Sequence, residues 1–291
     1  MNNNTAYLNG NFLPMEEIHI SPDDRGFLFA DGIYEVVRWY PGFFYDFESH
    51  MERLKRGLGK IQIAWKEADS FPAVAQKLIE NNNLTGSDAL LYLQVTRGIA
   101  PRSHSFPSTA TAPTVFASVK SFTPETSEKE SGIGVLSGED IRWKKCDIKS
   151  VALLPNVLSY QSALEVGFSE FVFIRDGFFT ECSHSNIFFV AADTIYTHPE
   201  SDYILSGITR KNVIRIAQNT GIKVIEEPMH ESRTKEITEI FITNTSWEIT
   251  PVVRLGKSLI GDGKPGPLTR ILREKFRAEI CMMRGNKGKN I

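Results

Sequence analysis

Cysteine is scarce in this chain. Cys146, Cys182 and Cys281 form no close pair and no Cys-x-x-Cys. So odd and scattered a set excludes a disulfide framework and a zinc site of the usual spacing, and points to a reducing compartment. A surplus of one charge is also missing. Thirty-three Lys+Arg oppose 35 Asp+Glu, a formal charge of −2, and no block of one sign stands out. Neither nucleic acid nor a membrane surface is therefore an expected partner. No stretch reaches the ~20 apolar residues that a helix needs to cross a bilayer. The polar opening, Met1 to Thr5, has no basic region followed by an apolar one, so no secretory leader is read and a cytoplasmic location is expected. Gly-rich phosphate fingerprints, HExxH and GxSxG are absent too, as are internal repeats and low-complexity tracts.

What is present is globular: 41% hydrophobic and 11% aromatic residues in a chain of 291. At roughly 100–200 residues per domain the length suggests two domains. The clearest break is the polar, charged run from Ser121 to Gly132, which contains Pro124 and ends in glycine. The expected division is a small N-terminal α/β domain over 1–120, a linker over 121–132, a larger C-terminal domain over 133–283 that carries Lys149, and a flexible tail over 284–291. Strands are read at Ile33 to Trp39, Leu90 to Val95, Thr114 to Val119, Asn186 to Val190 and Glu239 to Thr243. Asp176-Gly177 between two β-prone runs is a hairpin signal. Met51, Leu54, Leu58 and Ile61 recur at helical steps, and further helices are read at Ala73 to Glu80, Pro155 to Glu165 and Thr209 to Asn219. Consecutive strands joined by short turns predict mainly antiparallel sheets packed with helices, an α+β fold.

For chemistry the stretch from Glu139 to Ser150 stands out. Lys149 sits by apolar Ile148 and Val151, near the end of an expected strand. Such a lysine is either an exposed strand-end cation or an amine desolvated enough to form a Schiff base, and the stretch alone leaves both open. Ser183 and His184 are no nucleophile–base pair by adjacency, and Cys182 with His184 lacks companions for a metal site.

Seven motifs in order along the chain narrow this. They are Asp23-Asp24-Arg25-Gly26 with Asp31-Gly32-Ile33-Tyr34-Glu35; His50-Met51-Glu52-Arg53-Leu54; Thr96-Arg97-Gly98 with Pro101-Arg102-Ser103-His104; Cys146-Asp147-Ile148-Lys149-Ser150; Thr180-Glu181-Cys182-Ser183-His184-Ser185-Asn186; Ile204-Leu205-Ser206-Gly207-Ile208-Thr209-Arg210; and Thr243 to Pro251. With them the chain resembles, from about Tyr7 to about Phe276, the fold-type IV (class IV) pyridoxal-phosphate-dependent aminotransferases, and most closely their D-amino acid (D-alanine) branch. The resemblance implies a two-domain fold with the site in a cleft between the halves. It also implies reversible transfer of an amino group between D-amino acids such as D-alanine and 2-oxo acids such as 2-oxoglutarate.

The implied roles follow position by position. Lys149 would hold pyridoxal 5′-phosphate as a Schiff base and then move the substrate α-proton. Glu181 would pair with the coenzyme's pyridine nitrogen. Arg53, Ile208, Thr209 and Thr245 would bind its phosphate, with Arg53 expected on the face of its helix opposite the apolar stripe, and Leu205 would pack on its ring. Tyr34 would join Arg102 and His104 in gripping the substrate carboxylate. In this branch the last two come from the neighbouring subunit, which implies a homodimer. The chain departs from the branch at Cys182, His184, Asn244 and Trp247, where smaller residues or serine are usual, and this leaves side-chain preference open. Branched-chain L-amino acid aminotransferases carry a tyrosine where this chain has Leu154. Aminodeoxychorismate lyases lack the Arg102/His104 pattern. A non-catalytic relative of the fold is the remaining alternative.

Overall fold

In a computed structural model, which describes residues 4–107, 111–124 and 130–287, the chain divides into two units. One comprises Met1–Thr123 with Ile148–Ala152; the other comprises Pro124–Asp147 with Leu153–Ile291. Part of the expected linker, 125–129, and residues 288–291 of the expected tail lie outside the described residues.

The first unit is built on an antiparallel sheet of β1 (Thr5–Leu8), β2 (Asn11–Pro14), β3 (Gly32–Tyr40), β4 (Phe43–Phe44), β5 (Ala89–Thr96) and β6 (Thr114–Ser121), in the order β2-β1-β6-β5-β3-β4. Asn9 and Gly10 both take positive φ in the turn from β1 to β2, a conformation that asparagine and glycine tolerate. Helices α1 (Arg25–Phe29), α2 (Phe47–Lys60) and α3 (Phe71–Asn81) complete the unit. Leu54 and Leu58 of α2 and Leu78 and Ile79 of α3 are buried with Ile33, Val37, Leu91 and Leu93 of the sheet. Fully burying each such side chain contributes about 1.5–3 kcal/mol. The α2 stripe is wider than the apolar repeat suggests, for Ser49, His50 and Arg53 are buried with it.

The segment from Ile148 to Ala152 belongs with this unit rather than with the C-terminal half of the chain. Ser150 bridges to Ile33, the Tyr34 N–H donates to the Lys149 carbonyl at 3.1 Å, the Val151 N–H donates to the Gly32 carbonyl at 3.1 Å, and Ile148 packs on the core. Lys149 therefore sits in an irregular segment pinned to β3, not at the end of a strand. Those long-range backbone bonds explain the reassignment, since sequence order alone places it after the linker.

The second unit holds a nine-stranded sheet of β7 (Ile133–Glu139), β8 (Glu170–Arg175), β9 (Phe178–Cys182), β10 (Asn186–Ala191), β11 (Thr194–Thr197), β12 (Val224–Glu226), β13 (Glu239–Asn244), β14 (Glu248–Leu255) and β15 (Ser258–Leu259). Its order is β12-β11-β10-β13-β14-β7-β8-β9, with β15 paired to β14. The pairs β11–β12, β14–β7 and β7–β8 are parallel and the rest antiparallel. The hairpin between β8 and β9 turns at Asp176 and Gly177, both at positive φ. Helices α4 (Leu154–Glu165), α5 (Ile208–Asn219) and α6 (Pro267–Lys287) accompany the sheet. Arg284 to Lys287 continue α6, so the helix runs on into the segment read as a flexible tail. No helix among the described residues is long and apolar enough to cross a membrane.

Candidate active site

In the first unit Lys149 and Tyr34 meet. The ammonium of Lys149 lies 4.2 Å from the centre of the Tyr34 ring, which in turn stacks on Tyr92 at 5.9 Å. Both residues are half-buried, so the amine is close to an aromatic face and still reachable.

Below them lies a charged cluster that the motifs contain but do not explain. Glu35 on β3 is fully buried. Arg53 grips its carboxylate with two bonds, Nε to Oε1 at 2.8 Å and Nη2 to Oε2 at 2.7 Å, and His50 Nδ1 lies 2.8 Å from Oε2. Burial would raise the Glu35 carboxyl, but the Arg53 guanidinium and the bonds from Arg53 and His50 win and lower it to about 2. Burial lowers His50 despite Glu35 beside it. A neutral His50 facing a carboxylate donates through its Nδ1–H. Arg53 is thus not on the solvated side of α2. It lies three residues from His50 and four from Gly57, on the buried face, with its fork fixed by Glu35. The signal was present: an acidic residue inside the apolar run of β3 needs a buried partner.

Arg102 and His104 stand exposed on the loop after β5 and come together at Phe29, with the guanidinium 5.3 Å and the imidazole 5.4 Å from that ring. The loop is held by Arg25, which binds the Ser103 carbonyl at 2.6 Å and Asp31 at 2.9 Å. Arg97 adds a two-bond grip on Asp31 and bonds the carbonyls of Ile61 and Gln62. Among the described residues, Arg102 and His104 meet the ring of Phe29, whereas the Lys149 ammonium meets that of Tyr34.

The second unit assembles a second group. Glu181 on β9 is buried, and its carboxylate accepts from Arg142 Nη1 at 2.5 Å, Asn186 Nδ2 at 3.1 Å and the Leu205 N–H at 2.9 Å. Arg142 is itself pinned by two bonds of 2.9 Å to Asp140 and one of 3.1 Å to the Tyr203 carbonyl. Burial pushes the Glu181 carboxyl up, while Arg142 and the Leu205 N–H pull it back. Arg142, unassigned by the motifs, is therefore the counter-charge that favours the ionised acid. Its signal was a cation in the Glu139 to Ser150 stretch, but its partner lies 39 residues on.

Asn186 ties this carboxylate to the start of α5. Its side chain also donates to the Leu205 carbonyl at 2.9 Å, and its Oδ1 occupies the place that a Cβ on Gly207 would need, 1.9 Å away. Glycine is required there for space. Gly207 is the N-cap of α5, so the first N–H groups of Ile208 and Thr209 lie at its positive dipole end. Asn186 also pairs across the sheet with Thr243, which brings the turn carrying Thr245 to the same edge. Leu205 is half-buried. Cys182, by contrast, is 1% exposed in the hydrophobic core, and burial holds its thiol well above the ordinary range. Its side chain belongs to the core of this unit.

The two groups supply a reachable amine, a buried acid suited to a protonated heteroaromatic nitrogen, and an anion cradle. The amino-transferase class IV family profile matches residues 32–255. The chain is 38% identical over 276 residues to a D-alanine aminotransferase of Staphylococcus haemolyticus, covering 94% of this chain and 97% of the relative. It is 37% identical over 274 residues to one of Bacillus licheniformis, covering 94% and 95%. Among solved structures, a branched-chain amino acid aminotransferase of Escherichia coli has a TM-score of 0.87 at 21% identity, covering 94% of both chains. A second, from Thermobaculum terrenum in its PLP-bound holo-form, has a TM-score of 0.85 at 23% identity, covering 95% and 93%. At these identities the two structures establish the fold.

Proposed function

This chain belongs to the amino-transferase class IV family and is a pyridoxal-phosphate-dependent aminotransferase, and from that premise we propose that it moves amino groups between D-amino acids, such as D-alanine, and 2-oxo acids, such as 2-oxoglutarate. The donor set fits the coenzyme: Lys149 for its aldehyde carbon, Glu181 for its ring nitrogen, Leu205 for its ring, and Arg53, Ile208, Thr209 and Thr245 for its phosphate. When bound, the coenzyme supplies a protonated ring that accepts the electron pair left as the substrate Cα–H bond breaks.

The residues do the rest. Lys149 Nζ would be the group that removes the proton from substrate Cα and holds it for return. Glu181, with Arg142 against it, would pair with the ring nitrogen and favour its protonated form. Glu35 holds Arg53 in place, so the arginine would bind the phosphate without first having to be ordered. Tyr34, with Arg102 and His104 of a neighbouring copy, grips the substrate α-carboxylate, so the working unit is a homodimer. The location is cytoplasmic.

The observation that carries the D-amino acid reading is the pairing of Arg102 and His104 on one aromatic residue, Phe29. Their loop is fastened by Arg25, Arg97 and Asp31, which presets two carboxylate donors at the surface where a second copy can use them. Arg102→Ala tests it. KM for D-alanine should rise about tenfold or more, the weight of one charge-assisted grip, while the coenzyme stays bound. Unchanged kcat and KM would remove Arg102 from the site.

A further inference from the structure

Between β9 and β10 the chain turns through Ser183, His184 and Ser185, three residues that follow Glu181 and precede Asn186. Beneath the turn lies Glu170, the first residue of β8, with no exposed surface. Its carboxylate accepts from the Phe171 N–H at 2.8 Å, the Ser183 N–H at 3.2 Å, the Ser185 hydroxyl at 3.0 Å and the Ser183 hydroxyl, and His184 Nδ1 lies 2.8 Å from Oε2. Burial alone would raise this carboxyl, yet His184 and the hydroxyl and amide donors hold it below its ordinary value. Of these groups only His184 can carry a positive charge. A buried carboxylate of this kind favours the protonated form of a basic neighbour.

The imidazole is also fixed in direction. Tyr160 of α4 meets it edge-on at 5.1 Å and Trp247 at 4.9 Å. With Nδ1 turned to Glu170, Nε2 lies on the opposite edge of the ring, and the side chain is 39% exposed. Trp247 belongs to the turn that carries Thr245, and Asn244 of that turn donates to the Ser185 hydroxyl at 2.9 Å. His184 therefore stands beside the turn that carries Thr245, between the rings of Tyr160 and Trp247.

We propose that His184, charged by Glu170, is a specificity-determining residue that favours substrates bearing a second carboxylate, namely D-glutamate, D-aspartate and their 2-oxo acids, over those with neutral side chains. This rests on the transaminase reading above. His184→Gln keeps a donor for Glu170 and removes the charge. The ratio of kcat/KM for D-glutamate to that for D-alanine should fall about tenfold or more, the size of one charge-assisted hydrogen bond. A ratio that stays the same would overturn the proposal and leave the pair as a purely structural one. Calorimetry on the holoenzyme gives an activity-free readout, with glutarate and butyrate as probes. Glutarate should bind the parent protein about tenfold tighter, and His184→Gln should erase that advantage. Equal binding of the two acids by the parent protein would also overturn it. A parent enzyme inactive on every D-amino acid would instead defeat the transaminase reading, while the calorimetric comparison would still decide the role of His184.

Discussion

Replacing Arg142 by methionine is the most informative perturbation of the second unit. The guanidinium is buried and stands between two acids, 2.5 Å from Glu181 and 2.9 Å from Asp140. Asp140 keeps Arg175 at 3.1 Å, but Glu181 is left with only the neutral donors Asn186 and Leu205 among these partners. Removing one partner of a buried pair costs about 3–5 kcal/mol. At roughly 2–4 °C per kcal/mol this lowers the melting temperature by about 6–20 °C. The cost should depend on pH with a definite sign. Burial already raises the Glu181 carboxyl, and losing its cation raises it further, so the folded variant holds a proton that the unfolded chain releases above its ordinary carboxylate range. A raised carboxyl stabilises below the unfolded value and loses that stabilisation as pH rises through the folded value. The gap between variant and parent should therefore be smaller at pH 5 than at pH 8, as measured by urea denaturation followed by circular dichroism. A gap below about 1 kcal/mol, or one equal at both pH values, would refute Arg142 as the counter-charge of Glu181.

Glu35→Gln should destabilise the first unit by about 3 kcal/mol at neutral pH, since lowering a carboxyl from 4.5 to about 2 is worth ~1.4 kcal/mol per unit. That stabilisation is present above pH 4.5 and fades toward pH 2, so parent and variant should converge in acid when compared by denaturant midpoint. Gly207→Ala places a Cβ 1.9 Å from Asn186 Oδ1, so it should cost about 1–3 kcal/mol and weaken coenzyme binding by dislodging the side chain that ties Glu181 to α5, as read by coenzyme titration. Lys149→Ala should abolish turnover and the visible absorption of the bound coenzyme; full turnover in that variant would remove Lys149 from catalysis.

The elements legible in the sequence are those set by local rules. Asp176-Gly177 marks its hairpin, Pro155 lies in the first turn of α4, and the apolar steps of α2 reveal its core face. What stays hidden depends on distant partners. Arg53 reads as solvated by helical spacing because Glu35, the group that buries it, lies 18 residues away on a strand. Arg142 is ordinary until Glu181 is placed against it, and Cys182 turns inward because an irregularity in the β8–β9 pairing brings it onto the same core face as Phe179. Lys149 is legible as a residue but not as an element, because its segment is organised by β3 and not by its neighbours in sequence.

The handedness of the donor decides the assignment most directly. Purified holoenzyme supplied with 2-oxoglutarate should transfer the amino group of D-alanine in clear preference to that of L-leucine at equal concentration. Preference for L-leucine would contradict it and move the protein to the branched-chain reaction.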